Sequence, residues 1–158
     1  MNADNVNKWL TLSANIGVVL GLVLLIVEIG QNTEMMQAQI NQMRADSAMN
    51  YQYAYFNSEY LPAIRQKIRN GDELSDEEVG RYRSYFRAFN RNQDNNLWQY
   101  NQGYLEDNTP RSIEGAVRGI VGGSAFSIAI WDSQKFGYSD KYIAFVEEAI
   151  ADLREQAQ

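Results

Sequence analysis

The sequence contains no cysteine and no histidine, and only two prolines in 158 residues. Without cysteine there is no disulfide framework, no thiolate metal site and no cysteine nucleophile. Without histidine the commonest general base and the commonest metal ligand are both missing. Chemistry would fall to carboxylates, Lys, Tyr or Ser, and no pair of these, Asp76 and Glu78 included, has a signature beyond helix capping. No catalytic residue, metal site or cofactor is therefore expected, and the chain is not read as an enzyme. Basic residues are also in deficit. Fourteen Lys and Arg face twenty Asp and Glu, for a net charge of -6 and a pI near 4.7. That balance argues against nucleic acid as a partner and against docking on anionic lipid. The scarcity of proline and of β-branched runs predicts helix throughout, an all-α fold.

What the sequence does have is one long uncharged stretch, Trp9 to Val27, bounded by Lys8 and Glu28. At a helical rise of ~1.5 Å per residue it is roughly 28 Å long, about the thickness of a bilayer's hydrocarbon core. A cleaved signal peptide needs a shorter apolar core and a small-residue cleavage site, and the run ends instead in Ile26-Val27-Glu28-Ile29-Gly30-Gln31. A buried core helix is usually shorter. The stretch reads as a transmembrane helix over 9–29 after a short polar tail at 1–8. Mean hydropathy is -0.45 in spite of it, so the remainder is distinctly polar and a second span is not expected. Nothing breaks a helix from Gln31 to about Ser58, which predicts one long helix from near Asn5 to near Asn57. Residues 30–58 would continue it outside the bilayer, and 59–158 would form a helical domain. Lys8 leans the N-terminus towards the cytoplasm and the domain to the outside.

Two patterns run along this helix. Ser13, Gly17 and Gly21 recur at i, i+4, a small-xxx-small ladder containing a literal GxxxG, and Glu28 falls within about 20° of Gly17. Small residues let two backbones approach and gain van der Waals contact, the force that associates helices in lipid. The second pattern is a heptad-like seam of Leu22, Ile26, Ile29, Thr33, Met36, Ile40, Met43 and Ser47. Helix packing or oligomerisation through Ser13, Gly17, Gly21, Glu28, Met36, Ile40 and Met43 is expected. Asn15 is expensive in lipid unless it lies near headgroups or finds a partner.

Further along, Tyr51, Tyr53, Tyr55, Phe56 and Tyr60 form an aromatic cluster of the kind that fills a core or an interface. Pro62 opens a short helix that Gly71 stops after Asn70. Ser75-Asp76-Glu77-Glu78 is a capping box that starts a helix at Asp76. The apolar face of that helix is Val79, Tyr82, Tyr85, Phe86, Phe89, Gln93, Leu97 and Tyr100. Arg81, Arg83, Arg87 and Arg91 are read as its solvated face, pairing with acids or stacking on rings. The amide-rich stretch from Gln93 to Gln102 is expected to bond between helices, although Gln93, Trp98, Gln99 and Tyr100 would suit a small neutral ligand. Gly103 and Glu106-Asp107-Asn108 mark its end. Pro110 is expected at the first position of the next helix, capped by Asn108 or Thr109. The spacing Gly115-xxx-Gly119-xxx-Gly123 suggests a close helix crossing, with Gly122-Gly123 as the break. Ser124 to Lys135 reads as the domain's central helix, and Ser139 as the cap of the last one.

Three elements together carry a resemblance. They are Val27-Glu28-Ile29-Gly30-Gln31-Asn32-Thr33, an aromatic helix with Tyr85-Phe86 and Trp98-Gln99-Tyr100, and a late Trp-x-x-x-Lys-x-Gly-Phe/Tyr-Ser element, here Trp131 to Ser139. In this order they resemble a widespread family of small bacterial membrane-anchored proteins to which no activity is assigned. The resemblance implies a bacterial source and a single N-terminal anchor in the inner membrane, and it brings no catalytic residues. The chain departs from it at Asn90 to Asn96, where the family is rich in aromatics. The function expected is that of a structural or interaction protein in the bilayer, self-associating or serving as a small subunit of a membrane complex. A ligand-binding or sensory module is the alternative. An ion-conducting oligomer lined by Glu28 or Asn15 is a further one.

Overall fold

The computed structural model describes residues 3–105 and 108–156. Among them are six α-helices and no strand. The helices are α1 (Ala3–Phe56), α2 (Leu61–Asn70), α3 (Asp76–Asn101), α4 (Thr109–Ile120), α5 (Ala125–Gln134) and α6 (Asp140–Gln156), with a 3-10 turn at Lys135–Gly137 before α6. The chain divides into two compact units, Met1–Met43 and Arg44–Gln158, and the division falls inside α1.

The first unit is α1 alone. Gln, Met, Ala and Leu are good helix formers, which accounts for a helix that runs from Ala3 through the polar stretch after Val27 without a break. Thr11 and Thr33, weak formers, bond their hydroxyls back to the carbonyls of Asn7 and Ile29, both at 2.9 Å. This helix is long and apolar enough to cross a membrane, and none of its apolar window is buried within the chain.

The second unit is a helical domain built around α3. The capping box forms as the sequence predicts: the Ser75 hydroxyl accepts from the Glu78 N–H, and the Glu78 carboxylate accepts from the Ser75 N–H. Glu78 also pairs with Lys67 of α2 at 2.7 Å, and that hydrogen bond, with the one from Ser75, holds its carboxyl below the usual range. Helix α2 ends at Gly71, whose φ of 77° is left-handed, and the N–H of Asp72 reaches back to the Lys67 carbonyl at 2.9 Å. These are the bonds of a Schellman stop. The buried face of α3 carries Tyr82, Phe86, Phe89 and Leu97. Ile64 of α2, Ile113 and Val117 of α4, Ile130 and Trp131 of α5, and Tyr142, Val146 and Ile150 of α6 complete the core. Each such side chain contributes roughly 1.5–3 kcal/mol by leaving water.

The last turns of α1 belong to this domain. Tyr51 meets the rings of Tyr85 and Phe89 edge-on, at 6.1 and 6.3 Å, and Tyr55 lies 6.4 Å from Tyr85. Ser47 donates to the Asn92 amide oxygen at 3.0 Å. Burial pushes the Tyr51 hydroxyl well above the usual phenol range. Tyr53 and Phe56 do not join the core. They occupy the outer face of the same helix and are exposed, so the aromatic cluster is core on one side only.

Three further expectations are corrected. Helix α4 begins at Thr109, which puts Pro110 at its second position, and the Asn108 side chain makes no capping bond. Thr109 is instead buried inside the first turn. Gly115 and Gly119 face open space, so no helix crosses there. The close approach is at Gly122, which the tip of Leu153 on α6 abuts. Finally, α3 and not α5 is the central helix. Only Ser127, Ile130 and Trp131 of α5 are buried, while Ala125 and Ala129 face solvent. Taken together, α4 and Ala125–Gly137 are apolar enough for a broken span bent by 115°, yet Ile113, Val117, Ile130 and Trp131 sit in the domain core. Glu106 and Asp107, expected to mark the end of α3, lie outside the described residues.

Candidate functional site

The late Trp131-to-Ser139 element is a clamp joining α3, α5 and α6. Trp131 is fully buried, and its indole N–H donates to the Glu147 carboxylate on α6 at 2.9 Å. Lys135, one helical turn later, pairs with Glu147 at 3.0 Å and with Asp132 at 2.9 Å. The hydrogen bonds from Trp131 and then Lys135 hold the Glu147 carboxyl below the usual range. Gly137 supplies a carbonyl to the Arg91 guanidinium at 2.8 Å. Tyr138 stacks on the Trp131 ring, at 5.5 Å and 13°, with Arg91 over its own ring at 5.2 Å. Ser139 donates its hydroxyl to Asp94 of α3 at 2.6 Å and accepts from the Tyr142 N–H at 3.2 Å, so it caps α6 as expected. Trp131, Lys135, Tyr138 and Ser139, the side chains that the pattern specifies, each have a structural partner, while Phe136, at an unspecified position, projects into solvent.

Under this clamp lies a buried polar network that hydropathy reasoning overlooks. Asn90 and Tyr142 are both fully buried. The Tyr142 hydroxyl donates to the Asn90 amide oxygen at 2.8 Å, and the Asn90 amide nitrogen donates to the Phe86 carbonyl at 2.9 Å. Burial raises the Tyr142 hydroxyl far above the ordinary phenol range, so it stays a neutral donor. A second chain runs from Ser124 through Ser127 to Tyr82, at 3.0 and 2.9 Å, and ties the cap of α5 to α3. The signal for Asn90 and Asp94 is positional. They follow Phe86 at i+4 and i+8 and precede Leu97, polar residues in the register of the apolar face. Their arrangement holds helices together, Asn90 through Tyr142 and Asp94 through Ser139, both on the α6 side. Among the described residues, no group of three or more metal-ligating side chains is found.

The amide-rich stretch is less concentrated than its sequence suggests. Gln93 accepts from Asn96 at 3.4 Å, Trp98 is exposed and meets Tyr104 edge-on at 6.4 Å, and Gln99 and Tyr100 are half-buried. Among the described residues no side-chain hydrogen bond or ring contact joins Gln93, Trp98, Gln99 and Tyr100 to one another. The arginine face is as expected: Arg81 pairs with Glu77 at 2.6 Å and lies 4.0 Å over the Tyr60 ring.

The residues expected to pack helices together all lie on α1. Ser13, Gly17, Gly21 and Glu28 share one face, and a Cβ placed on Gly17 or Gly21 would meet nothing within 4 Å. Met36 and Met43 are exposed on another face, and Ile40 between them is half-buried. Comparison of the chain with protein-family models, with curated proteins and with solved structures gives no match.

Proposed function

We propose that this chain is a membrane-anchored structural or interaction protein. In this reading α1 crosses the bilayer once, over 9–29, and tethers the helical domain, as a homo-oligomer or as a small subunit of a larger membrane complex. The observation that carries it is the apolar window of α1, which no part of the chain covers. Exposed side chains from Leu10 to Ile29 include six leucines, four valines and three isoleucines besides Trp9. In water such a surface would be strongly unfavourable, and a bilayer removes it from water at the matching length. Trp9 supports one interface, where its ring is favoured, and Glu28 the other. The bacterial inner membrane follows from the resemblance of the three motifs, and the N-in orientation from Lys8.

Membrane fractionation of the full-length protein tests it directly. The chain should stay in the pellet through alkaline carbonate extraction, keep its N-terminal residues, and give a discrete mass above the monomer, alone or with a partner, in mild detergent. Release by carbonate, or loss of the first ~30 residues in the mature protein, would reject the anchor.

A further inference from the structure

The two patterns on α1 cannot serve one contact. At about 100° per residue, Ser13, Gly17, Gly21 and Glu28 cluster on one side of the helix. Leu22, Ile26, Ile29, Thr33 and Met36 lie on the order of 140° away, on the opposite side. The heptad spacing also extends backwards, through Val19 and Asn15 to Leu12. The seam therefore runs from Leu12 to Met36, three and a half heptads, of which Leu12, Val19, Leu22, Ile26, Ile29 and Met36 are exposed in the single chain.

Building on the anchored reading, we infer that this seam is the site of a parallel dimer with a second copy of the chain, and that the glycine face is left to lipid or to a different helix. Three observations select a second copy. The first is Asn15. It lies about 9 Å along the helix from Trp9 and about 20 Å from Glu28, well inside the uncharged stretch. Its amide has no hydrogen-bond partner among the described residues, and lipid offers none. An amide both donates and accepts, so the same residue across a symmetric seam satisfies it. The second is the residue type at each register position. Leu12, Val19, Ile26 and Thr33 occupy the positions equivalent to a, three of them β-branched, while Asn15, Leu22, Ile29 and Met36 occupy positions equivalent to d. A β-branched residue at a with Leu at d, as at Val19 and Leu22, favours two parallel strands. The third is charge. Between Glu28 and Arg44 the sole charged residue is Glu34, which lies off the seam, and the flanks carry Asn32, Gln37 and Gln39. Two identical helices therefore meet there without like-charge repulsion.

The chain's lack of cysteine makes the test clean. Single cysteines placed from position 17 to 36 of the full-length protein in its membrane are oxidised, and the disulfide-linked dimer is quantified. Cross-linking should peak at Val19→Cys, Leu22→Cys, Ile26→Cys, Ile29→Cys and Thr33→Cys, and be several-fold lower at Gly17→Cys, Gly21→Cys, Leu24→Cys and Glu28→Cys. Asn15→Leu should weaken dimerisation by about three- to twentyfold, the range of an interhelical hydrogen bond in lipid. A maximum on the Gly17 face, or no cross-link at any position in a protein that remains in the membrane, overturns the seam and leaves the anchor standing. An unchanged dimer in Asn15→Leu overturns the amide pairing. Failure to reach the membrane fraction rejects the anchor itself, and the seam with it.

Discussion

Tyr142→Phe removes one oxygen atom from the core, and the structure states what that atom does. Its hydroxyl donates to the Asn90 amide oxygen at 2.8 Å, and neither residue has measurable exposure. The deletion leaves a buried carbonyl without a donor, which costs about 1–3 kcal/mol. Asn90→Leu strands the hydroxyl instead, at a similar cost. The Phe86 carbonyl loses its extra donor from the Asn90 side chain, but it retains the backbone bond of the α-helix. Simple addition would give roughly 2–6 kcal/mol for the double variant. The double variant, however, contains no orphaned group, and an apolar pair of similar shape can be nearly neutral. A coupling of about 1–3 kcal/mol, with the double variant more stable than the sum of the singles, is the expected result. At about 4 °C per kcal/mol, each single should lower the domain's melting temperature by roughly 4–12 °C. Thermal unfolding of the full-length protein in mild detergent, followed by near-ultraviolet circular dichroism, measures it. Strictly additive losses would refute the argument, since they would mean that the two groups do not depend on each other.

Asp94→Ala removes the acceptor of the Ser139 N–H and O–H and loosens the first turn of α6. A loss of about 1–2 kcal/mol is expected, with faster amide exchange at Tyr142 and Ile143, and unchanged exchange there would contradict the clamp. Gly119→Ala places a methyl group in open space on an exposed helix and should stabilise by about 0.5–1 kcal/mol. A destabilisation, read in the same melts, would restore the close crossing that its spacing suggests. Glu147 has a folded-state pKa below its unfolded value, chiefly through the Trp131 indole. Its contribution is therefore present above the unfolded pKa of about 4.3 and is lost as pH falls through the folded pKa. Relative to Glu147→Gln, the native protein should lose stability on acidification below about pH 4.3, and parallel acid titrations of the two would exclude that role.

The sequence makes legible whatever depends on local chemistry. The capping box at Ser75, the left-handed stop at Gly71, the cap at Ser139 and the single long first helix each follow from residues within one or two turns of the feature. What depends on which residue faces which is harder to read. Gly115 and Gly119 have the spacing of a helix crossing, yet a glycine is small whether or not a neighbour approaches, and none does. Asn90 and Asp94 read simply as polar, because their own hydropathy is all that composition reports. Their burial is decided by partners 45 and 52 residues away, Ser139 and Tyr142.

The same distinction bears on α1. In the domain, a polar residue in apolar register finds its partner within the chain: Asn90 meets Tyr142, and Asp94 meets Ser139. On α1, Asn15 also stands in apolar register, but the helix at that point has no second element of its own unit to pack against. The physical requirement is stricter there than in the domain, because hydrocarbon offers no water to an unpaired amide. A chain that pairs Asn90 with Tyr142 in one unit and leaves Asn15 bare in the other directs attention outside itself. Tyr142 supplies a donor that Asn90 could not find on its own helix. A second α1 supplies the equivalent for Asn15, and it does so at the one register where Val19, Leu22, Ile26 and Ile29 gain packing in the same step.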